Sequence, residues 1–421
     1  MARPARRPGR QTQVTGLLVG LLQACASVAP PPGGPPDKAP PKIISVKPES
    51  GAVVPRFKDD IVIRFDEVID EMGGSAGRGG GASGLEQQVL LSPVSGAVKV
   101  SWHRTNVTVK PKEGWKARVY RLEILPGFVD LRRNRLDSAK TVLFSTGPEI
   151  GHARIGGIAL KWIEQTVLAR ALIEAVPLPD SAGYLTLADS GGQFNIPNLQ
   201  PGHYIVYASA DENGDRRRGY REPYDSIDVS LDSSSNVALY TFPHDTVAPR
   251  PRTASFVDST SIRVEFTQAL DPTSALDTAH VHVLEGADST PVTVVQVLTL
   301  RQFDSLTTAA RAKADSAAAR DSAHRPPPLP PPPSGRPAVR PSDRPRVDTT
   351  LVRELLARRP VPSDKIVIRL VHAMKPETRY VVRVQGATNL IGKKGDGDIG
   401  FATPKPVAAD TTHHAPRPGP P

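Results

Sequence analysis

The 421-residue chain has one cysteine, few aromatic residues and no long apolar run. A single cysteine excludes a framework of internal disulfides. Aromatic residues make up 5% of the chain and hydrophobic residues 38%, so part of the sequence is not expected to enter a core. Because no apolar run reaches about 18 residues, we predict no transmembrane helix. The 44 prolines argue against a helical bundle and against a long parallel-sheet enzyme.

The net charge of +10 lies outside the segments that have strand patterns. Residues 1–24 contribute +4 and residues 301–362 contribute +6, so the rest of the chain is neutral. A nucleic-acid-binding protein carries its basic residues on a folded face, usually with aromatic residues that stack on bases. Here the excess lies in a leader and in a low-complexity segment. We therefore predict no nucleic-acid partner.

The first 25 residues have the pattern of an export signal. Four arginines precede a short apolar stretch at residues 14–24, which is too short to span a membrane permanently. The sequence LLQACAS follows, in which Leu22 and Ala24 precede Cys25. This segment resembles the lipobox of bacterial lipoproteins. The resemblance implies a signal peptide at residues 1–24, lipidation of Cys25, a lipid anchor and localisation to the outer membrane. An ordinary signal peptide with an incidental cysteine is the alternative.

Short strand patterns follow a Pro/Gly-rich tether at residues 25–40. In the segment DDIVIRFDEVID, Ile61, Ile63 and Phe65 fall on one face of a strand and the intervening residues on the other. Similar segments recur about every ten residues, with turn residues between them. This spacing is typical of β-sandwiches, so we predict an all-β chain of tandem sandwiches with disordered Pro-rich segments.

Residues 41–148 and 246–404 follow one plan. The segment SIRVEFTQALD matches IVIRFDEVID, and both regions end with a tyrosine strand, a turn and an F-x-T sequence. The corresponding residues are Phe65 and Phe266, Asp70 and Asp271, Tyr120 and Tyr380, the Asp130–Asn134 region and Asn389, and Phe144 and Phe401. Both copies resemble the bacterial Ig-like domain first described in S-layer proteins. The resemblance implies two small Ig-like sandwiches.

Residues 149–245 have a different pattern. The segment GQFNIPNLQPGHY places Phe194, Ile196 and Leu199 before a Pro–Gly turn and Tyr204 after it. This order resembles the G-x-F-x-I-x-x-L-x-x-G-x-Y core of transthyretin-like modules, which include carboxypeptidase regulatory-like repeats. The resemblance implies a third small sandwich without catalytic residues.

A low-complexity insert at residues 305–360 interrupts the last Ig-like region. Its proline run cannot enter a sheet, and its Ala-rich part could form no more than a marginal helix. Loop-closure cost rises slowly with length, so a long insert is tolerated between two strands. We predict that the insert is disordered and dispensable for folding. The tail at 405–421 is also predicted to be disordered.

One loop carries possible metal ligands. Asp211, Asn213 and Asp215 occupy positions 1, 3 and 5 of a calcium-type loop, and Glu222 occupies position 12. Arg216 stands where such loops need glycine, and two more arginines follow it, which opposes a divalent cation. Asn213 and Gly214 also form a strong turn signal. The pattern favours a turn and leaves a Ca²⁺ site open; no other cofactor is predicted.

These features predict a lipid-anchored, non-enzymatic cell-envelope protein. Its sandwiches would act as spacers or as modules that bind envelope proteins or glycans. One alternative is an accessory subunit of an envelope or secretion complex that binds through an exposed edge strand. A less favoured alternative is a glycan hydrolase that uses Asp66 and Glu67, which requires two carboxylates about 5–10 Å apart in a pocket.

Overall fold

The computed structural model describes residues 36–71, 84–321 and 349–405. About 49% of the described residues lie in strands and 7% in helices. The described strands form six sheets, and the hydrophobic residues between them form three large and separate core clusters. The predicted all-β chain of tandem sandwiches is therefore confirmed.

The first module encloses one core between two sheets. Its strands are β1 (Ile43–Lys47), β2 (Ile61–Phe65), β3 (Val89–Ser92), β4 (Val98–His103), β5 (Asn106–Pro111), β6 (Val119–Ile124) and β7 (Lys140–Ser145). One sheet has the order β1-β2-β5-β4 and the other has the order β3-β6-β7. Alternate residues of β2 are buried, namely Ile61, Ile63 and Phe65, because successive side chains of a strand point to opposite faces.

The middle module is a second sandwich with its own core. Its strands are β8 (Ala153–Lys161), β9 (Thr166–Val167), β10 (Leu172–Pro177), β11 (Tyr184–Leu187), β12 (Gln193–Leu199), β13 (Gly202–Ser209), β14 (Tyr224–Leu231) and β15 (Ser234–Thr241). The sheets have the orders β12-β8-β15, with β9 beside β8, and β11-β10-β13-β14. Strand β15 runs parallel to β8, whereas the other pairs in this module are antiparallel.

The sequence motif of the middle module forms part of this core. Phe194, Ile196, Leu199 and Tyr204 all belong to one buried cluster. The Tyr204 hydroxyl donates a hydrogen bond to the Gln200 carbonyl at 2.7 Å, across the Pro–Gly turn. Burial raises the pKa of Tyr204 to about 12. The tyrosine therefore closes the turn while its ring fills the core.

The third module is also a two-sheet sandwich. Its strands are β16 (Pro251–Asp258), β17 (Ser261–Leu270), β18 (Val281–Glu285), β19 (Thr290–Val292), β20 (Val294–Thr299), β21 (Ser363–Leu370), β22 (Arg379–Thr388) and β23 (Lys394–Ala402). The sheets have the orders β16-β17-β21-β20 and β19-β18-β22-β23. The insert lies between β20 and β21, which are neighbours in one sheet.

The first and third modules make the same contacts near their final strands. Tyr120 and Tyr380 each accept a hydrogen bond from a backbone N–H four or five residues earlier, at 2.9 Å in both modules. Phe144 stacks on Tyr120 with ring centroids 5.6 Å apart, and Phe401 stacks on Tyr380 at 5.8 Å. The repeated sequence pattern therefore corresponds to a repeated set of contacts.

The first and middle modules meet through a buried polar junction. Arg121 and Glu123 form an ion pair at 2.7 Å, and Thr186 of the middle module donates to the same carboxylate at 2.8 Å. Arg118 pairs with Asp180 across the junction at 2.8 Å. Arg121 and Glu123, which are both buried, are thus paired with each other, as burial of charge requires.

The insert differs from the prediction of a disordered segment at 305–360. Helix α1 (Leu300–Asp321) begins before the predicted boundary, and helix α2 (Thr349–Ala357) lies inside it. Leu355 and Leu356 of α2 are only 9% and 8% exposed, and they pack on the middle module. Val352, Leu355 and Leu356 form an apolar face at helical spacing. That short signal lies beside the Pro-rich residues 322–348, which fall outside the described part of the chain.

Helix α1 starts at a capping box. The side chain of Gln302 accepts from the Thr299 backbone N–H at 2.8 Å, and the Thr299 hydroxyl accepts from the Gln302 N–H at 3.3 Å. Phe303 anchors the first turn and is 8% exposed. Neither α1 nor α2 is both long and apolar enough to cross a membrane.

Candidate functional site

The predicted calcium loop lies between β13 and β14 and is organised around an arginine. Asp211 accepts from the Arg216 backbone N–H at 3.1 Å and pairs with the Arg216 guanidinium at 3.0 Å. Burial raises the pKa of Asp211, and the charge of Arg216 opposes this shift. The Arg216 guanidinium is therefore bound to the Asp211 carboxylate, which a cation would need as a ligand.

The other predicted ligands also accept hydrogen bonds within the loop. Glu222, which is buried, accepts from the N–H groups of Asn213 at 3.3 Å and Gly219 at 3.1 Å. The Asn213 side-chain oxygen accepts from the Asp215 N–H at 2.8 Å, and Asp215 accepts from the Arg217 N–H at 2.8 Å. These bonds satisfy the backbone of a tight Asx-rich turn. Calcium binding by this loop stays a prediction that competes with these contacts.

The loop also borders a cleft between the first and middle modules. The cleft has a volume of about 370 Å³, and its walls include Leu90 and Val98 of the first module and residues 215–218 of the loop. Arg218 pairs with Glu174 at 3.3 Å, and its guanidinium lies 3.5 Å from the centre of the Tyr207 ring. The side chains of Arg216 and Arg218 are therefore held by carboxylates of their own module.

A second acidic group, which the sequence analysis did not identify as a site, lies at the start of the first module. Asp37, Glu67 and Asp130 each place a carboxylate oxygen within 4.8 Å of the others. Burial and the neighbouring charges of Asp130, Asp66 and Asp37 raise the pKa of Glu67 above its ordinary value. Hard oxygen ligands of this type suit Ca²⁺ or Mg²⁺. Both oxygens of Asp130 already accept hydrogen bonds, from the Arg132 N–H and from Asn134, so a cation would compete with these contacts here too.

The third module has amides at the same place. Gln268 follows Phe266 as Glu67 follows Phe65, and Asn389 bridges to β17 as Asp130 bridges to the segment after β2. The Asn389 amide donates to the Gln268 side-chain oxygen at 3.0 Å. The repeat alignment contained this signal, because Glu67 and Asp130 correspond to uncharged residues of similar shape in the other copy.

Asp66 and Glu67, the two carboxylates of the hydrolase alternative, have different partners in the structure. Asp66 accepts from the Lys42 backbone N–H at 2.7 Å and ties the entry segment to β2. Glu67 instead belongs to the acidic group with Asp130. Cys25, the predicted lipidation site, lies outside the described residues.

The fold and these sites define an all-β chain of modular sandwiches, and the family comparison agrees for the first module. Residues 37–146 match the family model of the bacterial Ig-like domain. The first module is therefore a bacterial Ig-like domain, as the sequence predicts. No curated protein matches the chain.

Solved structures give weak likenesses over longer stretches. The major pilin subunit BcpA of Bacillus cereus is 12% identical, over 48% of this chain and 70% of the pilin, with a TM-score of 0.17. The Bacillus anthracis TIE protein is 8% identical, over 89% of this chain and 56% of that protein, with a TM-score of 0.17. The surface layer protein SbsC, domains 1–6, is 10% identical over 88% and 55%, with a TM-score of 0.17. The fold assignment rests on the sheets and the family match, not on these likenesses.

Proposed function

We propose that this chain is a lipid-anchored, non-enzymatic protein of the cell envelope whose sandwiches hold a binding surface away from the membrane. The observation that carries the proposal is the succession of three sandwiches, the first of which is a bacterial Ig-like domain. Polar and ionic contacts at the junction of the first two modules favour a fixed arrangement, which suits a spacer. The middle module, in this proposal, is a transthyretin-like sandwich, which the burial of its motif residues supports.

The proposed anchor is Cys25, behind a tether at residues 25–40. An Arg-rich leader, a short apolar stretch and the lone cysteine support lipidation, because an unpaired thiol in an exported protein needs a role. Acyl chains on one cysteine give stable membrane attachment, since each buried methylene contributes about 0.8 kcal/mol. The outer membrane is the proposed address.

Membrane fractionation of the full chain tests this function. The wild-type protein should sediment with membranes and incorporate a labelled fatty acid, whereas Cys25→Ser should appear in the soluble fraction without label. Ser27→Cys in the Cys25→Ser background is a matched control, because it restores a thiol two positions away and should not restore the label. Wild-type protein that carries no label, together with a membrane-bound Cys25→Ser variant, would refute the anchor.

A further inference from the structure

The β12-β8-β15 sheet of the middle module has apolar residues on both of its faces. On β8, Ile155 and Ala159 point into the module's own core, whereas Ile158 and Leu160 belong to a separate cluster on the outer face. Tyr240 of β15 joins that outer cluster and is 5% exposed. A sheet of an isolated sandwich normally presents polar residues to water on its outer face. The outer face of this sheet is instead apolar, so it requires another element to cover it.

Helix α2 of the third module covers this face. Leu355 and Leu356 pack on Ile158, Leu160 and Tyr240 and complete the outer cluster. The helix belongs to the insert between β20 and β21, so one segment of the third module is buried against the middle module.

Polar contacts fix the position of the helix end. The Tyr240 hydroxyl donates to the Leu355 carbonyl at 2.8 Å, and the Trp162 indole N–H donates to the Pro360 carbonyl at 3.0 Å. The Leu355 carbonyl also accepts from the Arg358 backbone N–H at 3.2 Å, so Tyr240 adds a second partner from another module. The Arg359 guanidinium lies 4.2 Å from the centre of the Tyr240 ring and 5.7 Å from that of Trp162.

We propose that the outer face of the β12-β8-β15 sheet is a docking surface for a short amphipathic helix, and that α2 of the same chain occupies it as a strap. The strap gives the middle and third modules a second connection besides the linker that joins β15 to β16. Two modules joined by a single linker move relative to each other by default, whereas two connections restrict rotation about the linker. The strap therefore sets the angle between these modules. This inference does not depend on the proposed envelope function.

Distance measurements on the full chain test the strap. Ser230→Cys on β14 and Ser255→Cys on β16, both exposed, would carry spin labels in a Cys25→Ser background. With the strap docked, the distance distribution between the labels should be narrow. Leu355→Asp with Leu356→Asp should widen it at least twofold. Arg353→Asp is the matched control, because Arg353 lies on the same helix and is exposed, and it should leave the width unchanged.

A second variant and a second readout keep the test decisive. Replacing residues 349–360 with a Gly/Ser segment of equal length removes the strap, and it should widen the distribution as much as the double aspartate variant. Trypsin should cleave after Arg353 and Arg358 at least tenfold faster in the double aspartate variant than in the parent. An unchanged width in the Gly/Ser variant, with the circular dichroism of the sheets retained, would overturn the proposal. A parent dimer that the double aspartate variant converts to monomer would place the helix on a second copy and would also overturn it.

Discussion

The first and third modules share a frame of contacts around the tyrosine strand, and they differ in the charge of the turn beside it. In both, a tyrosine hydroxyl accepts a backbone hydrogen bond at 2.9 Å and an aromatic ring from the last strand stacks on that tyrosine. Thr146 and Thr403 also repeat one pattern, since each hydroxyl accepts from the backbone N–H of the residue just before the tyrosine strand, Arg118 at 3.0 Å and Thr378 at 2.9 Å. These contacts are uncharged, and they are the part of the frame that both copies keep.

The difference lies at the turn beside the frame. The first module places carboxylates at Glu67 and Asp130, where the third module places the amides of Gln268 and Asn389. An amide pair can donate and accept at once, so it satisfies itself at any pH. Two ionised carboxylates only accept, and they repel each other. The comparison teaches that one backbone turn accepts either pair, and that in the acidic pair burial and the charge of Asp130 raise the pKa of Glu67.

Removing the aromatic ring of the last strand should have the largest effect on stability. The loss should differ between the first and third modules, because the ring is packed differently in each. Phe144 is fully buried among the rings of Phe57, Trp115 and Tyr120, whereas Phe401 is only half-buried. Phe144→Ala should destabilise its module by about 3–5 kcal/mol, and Phe401→Ala by roughly half as much. Differential scanning calorimetry of the full chain measures both. Equal losses would show that the two cores are packed alike at this position.

Exchanging the acid and the amide should have a smaller effect that depends on pH. The pKa of Glu67 is raised by burial first and by Asp130, Asp66 and Asp37 next. A carboxyl whose pKa is raised in the folded state stabilises the fold below its unfolded pKa, and it loses that contribution as pH rises through the raised value. Glu67→Gln should therefore gain stability relative to wild type as pH rises from 4.5 to 7, by less than about 1 kcal/mol because the side chain is partly exposed.

The reverse exchange is the matched control. The double variant Gln268→Glu with Asn389→Asp should lose stability at pH 7 and should acquire the pH dependence that Glu67→Gln removes; both changes are needed because the Asn389 amide would otherwise donate to the new carboxylate. Thermal melts from pH 4 to 7 measure both variants. Parallel curves for Glu67→Gln and wild type would show that the acidic group does not couple to the stability of the fold.

Calcium should have the smallest effect on the loop of the middle module. Because Arg216 holds Asp211 and backbone N–H groups hold Glu222, millimolar Ca²⁺ should leave the melting temperature of the middle module unchanged, as should excess chelator. The variants Asp215→Ala and Glu67→Gln locate any shift that does occur. A shift abolished by Asp215→Ala would contradict the arginine-centred turn, whereas one abolished by Glu67→Gln would place the cation at the acidic group of the first module.

Much of this organisation could be predicted from local patterns. Alternation at Ile61, Ile63 and Phe65 predicts a buried strand because the period of a strand is set by the backbone. The motif that ends at Tyr204 predicts a turn followed by a strand for the same local reason. The acidic group escaped prediction because Asp37, Glu67 and Asp130 are far apart in sequence and meet only when β2 is in register with the turn after β6.

The sequence by itself determined the strands, the duplicated Ig-like pattern and the turn chemistry, since each depends on residues close together in the chain. The tertiary structure decided what covers the outer face of the middle module. The local pattern predicts a strand at Ile158 and Tyr240 whichever face their side chains occupy. It predicts at Leu355 only a short helix that is too weak to form alone. Their packing requires two modules and an insert to meet, and burial of apolar surface against the middle module stabilises a helix that its own sequence could not.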